Sequence, residues 1–199
     1  MKMKTIIISL KIFLFFTILT GIVYPLLVTG IAQTLFAGKA NGSLITEDGK
    51  VIGSKLIGQQ FDSVIYFSSR PSATSYNPLP SGGTNLGLTN VKLKNLVAER
   101  RAMFIGLNQL DSLAIVPPEM LFASASGLDP HISPDAALLQ TGRIAKARNL
   151  DTIQTQKLVQ NVLSHIEKPQ FIVLGEERVN VLILNLELDK PYMNITNNK

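Results

Sequence analysis

The chain has no cysteine, no tryptophan and only two histidines among its 199 residues. Without cysteine there is no disulfide, no thiolate nucleophile and no cysteine-ligated metal. The histidines, His131 and His165, are far apart. No carboxylate cluster at ligand spacing accompanies either, which argues against a metal centre. The formal charge of +5 is less informative than it looks. With Lys2, Lys4 and Lys11 set aside, 16 basic residues face 14 acidic ones, and no block of like charge gives a footing for nucleic acid. Two other signatures are missing. The glycine-rich run Ser81-Gly82-Gly83-Thr84-Asn85-Leu86-Gly87 has no Gly-Lys-Ser/Thr to make a phosphate loop and no strand-before, helix-after setting for a dinucleotide. It reads as a turn-dense loop, open to a protein partner, whose glycines take positive φ. No Gly-x-Ser-x-Gly elbow exists either. With no nucleotide-hydrolysing motif, the chain reads as an accessory component rather than a motor.

What is abundant is apolar length. Ile12 to Phe36 is a run of 25 positions without a charge, and about 20 apolar residues cross a bilayer core. The run is too long for the ~7–15-residue apolar core of a cleaved leader, and Leu35-Phe36-Ala37-Gly38-Lys39 offers no small-x-small cleavage pattern. It therefore reads as a retained anchor. The three preceding lysines put the N-terminus in the cytoplasm and the rest of the chain outside it. A kink is expected at Pro25, since it has no N–H and crowds the carbonyl of Gly21. Thr17, Gly21, Pro25, Thr29 and Gln33 recur every fourth residue as a slowly drifting ridge of small or polar side chains. Such a ridge suits docking on another membrane protein.

The expected organisation is a basic cytoplasmic N-terminus (1–11), a transmembrane helix (12–36), a linker (37–50), an extracytoplasmic domain (51–190) and a polar tail (191–199). The domain is expected to be α/β, or α+β-like, with a central sheet and two to three helices. Val51–Ile57 and Val64–Phe67 read as short strands, and Ser68–Thr89 as a long loop of the functional kind. Asn90–Leu107 has a helical period through Leu93, Leu96, Val97, Arg100, Phe104 and Leu107. Leu113–Phe122, with Pro117-Pro118 inside it, reads as irregular or as a short strand after the prolines. Ser133-Pro134-Asp135 opens a helix with an N-cap, a proline and a first-turn acid. That helix is expected to bury Ala137, Leu138, Ile144 and Ala145 and to expose Arg143 and Lys146. Asp151 caps the next, with Gln154 at the capping-box position, burying Leu158, Val162, Leu163 and Ile166. Val179–Leu188, with leucine at 182, 184, 186 and 188, reads as a central strand.

The segment Ser124-Ala125-Ser126-Gly127-Leu128-Asp129-Pro130-His131 holds hydroxyls, an acid and a histidine. A hydrolase reading would use Ser124 or Ser126 with His131 as base. Residues so close in sequence seldom reach triad geometry, so a tight structural loop is the favoured reading. His165, beside an apolar stripe, reads as structural. Arg70 is a solvated loop charge, a partner-facing cation or a buried hydrogen-bonded one. Asn194-Ile195-Thr196 matches a glycosylation sequon.

Many short segments together carry a family resemblance. They include Gly21-Ile22-Val23-Tyr24-Pro25-Leu26, Ala40 to Ile45, Leu56-Ile57-Gly58-Gln59, Tyr66-Phe67, Arg70-Pro71-Ser72-Ala73, Tyr76-Asn77-Pro78 and Ser81 to Leu86. Ala123 to Asp129, Ile144 to Leu150, Val179-Asn180-Val181 and Leu184-Asn185 continue the series. Colinear from about residue 13 to 190, they resemble the C subunit of the bacterial Kdp-type potassium-transporting ATPase. Thr84 and Leu88 stand where that family commonly has serine and proline. The resemblance implies a single-pass subunit of the bacterial plasma membrane. It also implies three partners: a channel-like potassium-binding subunit, a P-type ATPase subunit phosphorylated on its own aspartate, and a small hydrophobic subunit. ATP and potassium would be handled by the complex, with no cofactor held by this chain. The family's C subunit is described both as a catalytic chaperone raising ATP affinity and as lying above the outer potassium entrance. The lysine flank favours the second, because ATP is cytoplasmic. Partner-facing candidates are then Thr17, Gly21, Pro25, Thr29 and Gln33 in the anchor, and Arg70, Asn77, Asn85, Ser124, Ser126, Asp129 and His131 in the loops.

Overall fold

The structure is a computed structural model in which residues 2–171 and 173–190 are described. The sequon at Asn194 and the polar tail lie outside the described residues. The chain divides into two compact units, Met1–Ser54 and Lys55–Lys199.

The first unit opens with α1 (Lys2–Ile18), passes through a π turn (Leu19–Val23) and continues as α2 (Tyr24–Leu35). Residues 3–35 form one helix long and apolar enough to cross a membrane, with no part of its apolar window buried within the chain. Just before Pro25, where a kink is expected, the helix makes the π turn. Tyr24 N–H reaches back five residues to the Leu19 carbonyl. The hydroxyls of Thr17 and Thr20 fold onto the carbonyls of Phe13 and Phe16, at 2.8 and 2.7 Å. A short α3 (Ala37–Ala40) leads into the antiparallel hairpin of β1 (Leu44–Glu47) and β2 (Lys50–Ser54). The connection is Asp48-Gly49, both at positive φ (48° and 74°), the chemistry that a two-residue hairpin loop requires. The expected linker therefore contains a strand, and the strand read as Val51–Ile57 ends at Ser54.

The second unit begins with 36 residues, 55–90, that hold neither helix nor strand. Then come α4 (Val91–Asn108), a 3-10 turn (Pro118–Met120), β3 (His131–Ile132), α5 (Pro134–Ala147), α6 (Thr152–Ser164), β4 (Val179–Asn180) and α7 (Val181–Asp189). The capping signals at Ser133 and Asp151 act as read, with Ser133 accepting from Ala136 N–H at 3.1 Å. Asn90 adds a cap that was not read from the sequence, accepting from Lys92 N–H at 2.8 Å. Asp151 and Gln154 form a full capping box. β3 and β4 pair antiparallel, His131 with Asn180 and Ile132 with Val179. Helix α5 packs between α4 and α6, and α6 also meets α7. Phe67, Phe104, Met120, Ile132, Ala136, Ile144, Leu158, Val162, Val179, Leu184 and Leu188 make the core. Each large side chain there contributes roughly 1.5–3 kcal/mol by burial.

Several expectations are corrected. The described residues hold two two-stranded pairs and no central sheet. Val179–Leu188 is a two-residue strand followed by a helix. Asn180 caps that helix by accepting from Ile183 N–H at 3.2 Å, and Val181, Leu184, Asn185 and Leu188 share its buried face. Leu163 is exposed, because α6 buries only the stripe through Leu158 and Val162. Arg143, expected at the surface, is buried.

Val64–Phe67 is not a strand, and its hydrogen bonds explain why. Asn185 on α7 accepts from Phe67 N–H at 2.7 Å and donates to the Phe67 carbonyl at 3.0 Å. Gln140 on α5 does the same for Ser68, at 2.7 and 3.3 Å. Arg143 donates to the carbonyls of Val64 and Tyr66, and Arg148 to that of Ile65 at 2.8 Å. Buried backbone groups must be paired, and here helix-borne side chains do what a neighbouring strand would. Arg143 also donates to Asn108 at 2.9 Å and Gln140 at 2.8 Å. No acid pairs with it among the described residues, and burial pushes its guanidinium down to about 10.

Candidate functional site

The two loops singled out in the sequence are stitched to each other. Ser72 donates to the Gly127 carbonyl at 2.7 Å and accepts from Tyr76 N–H at 2.9 Å. Gly82 N–H reaches the Ser126 carbonyl at 2.9 Å, and Gly58 N–H the Leu128 carbonyl at 2.7 Å. Two glycines make this closeness possible. A Cβ at Gly127 (φ +72°) would lie 2.6 Å from the Thr74 hydroxyl, and one at Gly58 would lie 2.7 Å from the Asp129 carbonyl. Long polar loops are normally mobile; this one is held by side chains of known position.

Arg70 and Asp129 form the electrostatic centre of this patch, with a 2.6 Å ion pair. The other Asp129 oxygen accepts from His131 N–H at 3.0 Å, and the His131 ring lies 3.4 Å from that same oxygen. Burial pushes the Asp129 carboxyl up, but the His131 ring and backbone N–H, with the Arg70 guanidinium, outweigh it and hold the group at about 2. On its far side His131 faces Glu167 at 3.8 Å, and Glu167 pairs with Arg178 at 3.0 Å. The result is a row of ionisable side chains from Arg70 to Arg178. Tyr76 donates to the Arg70 carbonyl, and burial pushes its phenol up.

Of the sequence candidates, Arg70, Ser124, Ser126, Asp129 and His131 come together here. The hydroxyls of Ser124 and Ser126 accept from Gly127 and Leu128 N–H, at 2.9 and 3.1 Å. The His131 ring faces two carboxylates instead of either serine, so this geometry is a tied loop rather than a triad. Asn77 and Asn85 are exposed and act locally. Asn77 accepts from Leu79 N–H at 3.0 Å, and Asn85 sits at φ +53°. In the first unit Thr17, Gly21, Pro25 and Thr29 lie exposed on the long helix, while Gln33 is amide-paired with Asn41 at 3.1 Å. His165 caps α6, with its ring on the Asn161 carbonyl at 2.9 Å.

Two features escaped the sequence reading. An open cleft of about 560 Å³ runs between α4 and the 60–76 segment, with Phe61, Leu96, Met103 and Leu107 beside Arg70 and Arg100. The helical period of α4 was visible; the burial of only part of it was not. The second is a pinned apolar loop. Arg101 donates to the carbonyls of Ser112 and Ala114, at 2.8 and 3.1 Å, and Asp111 accepts from Leu113 N–H at 2.7 Å. The ordered backbone presents Leu113 at 86% and Ile115 at 89% exposure. Side chains this apolar, held out on a rigid loop, are the kind a protein partner buries.

Over residues 6–190 the chain matches the KdpC family, described as the c chain of K+-transporting ATPase. A protein of Leptospira interrogans named potassium-transporting ATPase KdpC subunit is 44% identical over 93% of each chain. Its namesake from Trichlorobacter lovleyi is 48% identical, over 94% of this chain and 98% of that one. One from Mycobacterium tuberculosis is 46% identical, over 92% and 96%.

Proposed function

The chain belongs to the KdpC family, the c chain of K+-transporting ATPases, and from that premise we propose that it is a non-catalytic accessory subunit capping the outer potassium entrance of the pump. The anchor docks on the channel-like potassium-binding subunit, with the P-type ATPase subunit and a small hydrophobic subunit completing the assembly. The domain lies outside the cytoplasm, since three lysines flank the helix on its N-terminal side. Any effect on ATP affinity then reaches the ATPase subunit through the membrane, with no nucleotide on this chain.

The observation that carries the cap is the stitching of Ser68–Thr89 to Ser124–His131 through Ser72, Gly82, Gly127 and the Arg70–Asp129 pair. A surface ordered before binding loses little entropy on binding. The Ser124 and Ser126 hydroxyls engaged by backbone N–H groups, and a His131 ring facing carboxylates, support the non-catalytic reading.

The test is sidedness first. Ser81 is exposed, and the chain has no cysteine, so Ser81→Cys gives one thiol. A membrane-impermeant maleimide should label it in intact spheroplasts. Labelling only after lysis would reverse the topology and end the cap. Removing residues 55–190 while keeping the anchor should then alter potassium uptake at limiting potassium; normal uptake would refute the cap with the topology intact.

A further inference from the structure

The π turn in the membrane helix sets two things that differ in a straight helix with the same residues, where Pro25 would deprive the Gly21 carbonyl of its donor instead. The first is angular. An α-helix turns about 100° per residue, so residues four apart drift by about 40° per step, and Thr17 and Gln33 would end about 160° apart. The π turn takes one extra residue into a single turn. Everything beyond it is set back by about 100° relative to an α-helix. Thr17, Gly21, Pro25, Thr29 and Gln33 then fall within roughly 60–80° and make one narrow face. Gly21 has no packing reason inside this chain, since a Cβ there would meet nothing within 4 Å. In a helix interior glycine costs about 1 kcal/mol relative to alanine.

The second is a missing hydrogen bond. A carbonyl at position 20 takes its donor from position 24 in an α turn or from position 25 in a π turn. Tyr24 N–H is given to Leu19, and Pro25 has none. The Thr20 carbonyl is therefore without either regular donor, a few residues from the middle of the apolar span. In hydrocarbon no water replaces it.

From these two observations we infer that the π turn is a phase-setting device for docking: it gathers the five residues into one stripe, and that stripe receives a transmembrane helix of a partner subunit bearing a side-chain hydroxyl or amide that donates to the Thr20 carbonyl. This rests on the docking reading of the anchor proposed above. The occupant is a helix because small residues in a narrow stripe admit a close backbone. Its donor is required by an acceptor that lipid tails cannot satisfy.

The experiment is a tryptophan scan from Leu14 to Gln33 in the full-length chain, co-expressed with the other subunits and scored by recovery of this chain in the purified complex. Intolerant positions should repeat at 3.6 residues with a slip of one residue between Leu19 and Val23. An unbroken period across the span would overturn the phase device and leave docking standing. Uniform tolerance would sink the docking reading itself. A second pair of variants separates stripe from carbonyl. Pro25→Ala restores the donor and an α register, so recovery should fall several-fold. Pro25→Ala with Ile22 deleted is one residue shorter, so it regains the stripe without the open carbonyl. Its recovery should lie above that of Pro25→Ala and roughly threefold below the native chain. Recovery equal to Pro25→Ala refutes the phase device; recovery equal to native refutes the donor.

Discussion

Asn185→Ala removes one buried amide that serves both backbone groups of Phe67. The Asn185 side chain accepts at 2.7 Å and donates at 3.0 Å and is 2% exposed. Truncation leaves one N–H and one carbonyl buried without partners, at about 1–3 kcal/mol each. The expected loss is about 2–6 kcal/mol, a large share of the ~5–15 kcal/mol that stabilises a typical domain. Asn185→Asp should not restore it, because an oxygen would then face the Phe67 carbonyl. Urea unfolding of the full-length chain in detergent, followed by far-ultraviolet circular dichroism, gives the loss. Hydrogen exchange gives the mechanism: the Phe67 amide should be slow in the native chain, although it belongs to no helix or strand, and fast in the variant. A loss under about 0.5 kcal/mol, or a Phe67 amide already fast in the native chain, would refute the idea that side chains replace a strand here.

Arg143→Lys keeps the charge but loses the planar fork that serves Asn108, Gln140 and two carbonyls; it should cost about 3 kcal/mol by the same unfolding assay. Asp129, held at about 2, contributes stability that is complete above its ordinary value of 3.8 and lost as pH falls toward 2. That contribution amounts to about 2 kcal/mol, and Asp129→Asn should flatten this part of the acid-unfolding curve. Gly127→Ala meets a positive φ and the Thr74 hydroxyl; about 2 kcal/mol should be lost, with faster proteolysis of the 68–89 loop. Serine at both Leu113 and Ile115 should leave the unfolding midpoint unchanged, because both are exposed, yet lower recovery of the chain with its complex.

The helix starts were legible because a cap is a local event. Ser133 and the Asp151/Gln154 pair act within four residues of themselves. The long apolar helix was legible because length and absence of charge suffice. Val181–Asp189 was not, because a short segment apolar on nearly every side satisfies two periods at once. Leucines at 182, 184, 186 and 188 suggest a strand, while Val181, Leu184, Asn185 and Leu188 fit a helix. Asn180, as a possible N-cap, was the signal that decides between them. Val64–Phe67 has the residues of a strand but lacks a strand beside it, and nothing local in sequence tells that Asn185, more than a hundred positions away, will take that place. Arg143 was misplaced for a related reason: it lies in the polar network that receives this segment, so its burial is a tertiary fact. In the candidate site the residue types were visible, and so was the improbability of a triad. The pairing of Arg70 with Asp129, and the loop that holds out Leu113 and Ile115, depend on contacts that no spacing encodes.

The amide side chains lining Val64–Ser68 also bear on how this chain behaves among copies of itself. A strand at the margin of a sheet leaves alternate backbone groups free, and another chain can add to them. Here the amides of Asn185 and Gln140 already occupy both backbone groups of Phe67 and Ser68, and they are carried on helices that cannot be extended sideways. The β-prone sequence Val64-Ile65-Tyr66-Phe67 is thereby present without a template for fibrous growth. A variant that frees those amides would lose more than stability: it would uncover a stretch suited to sticking to its own kind.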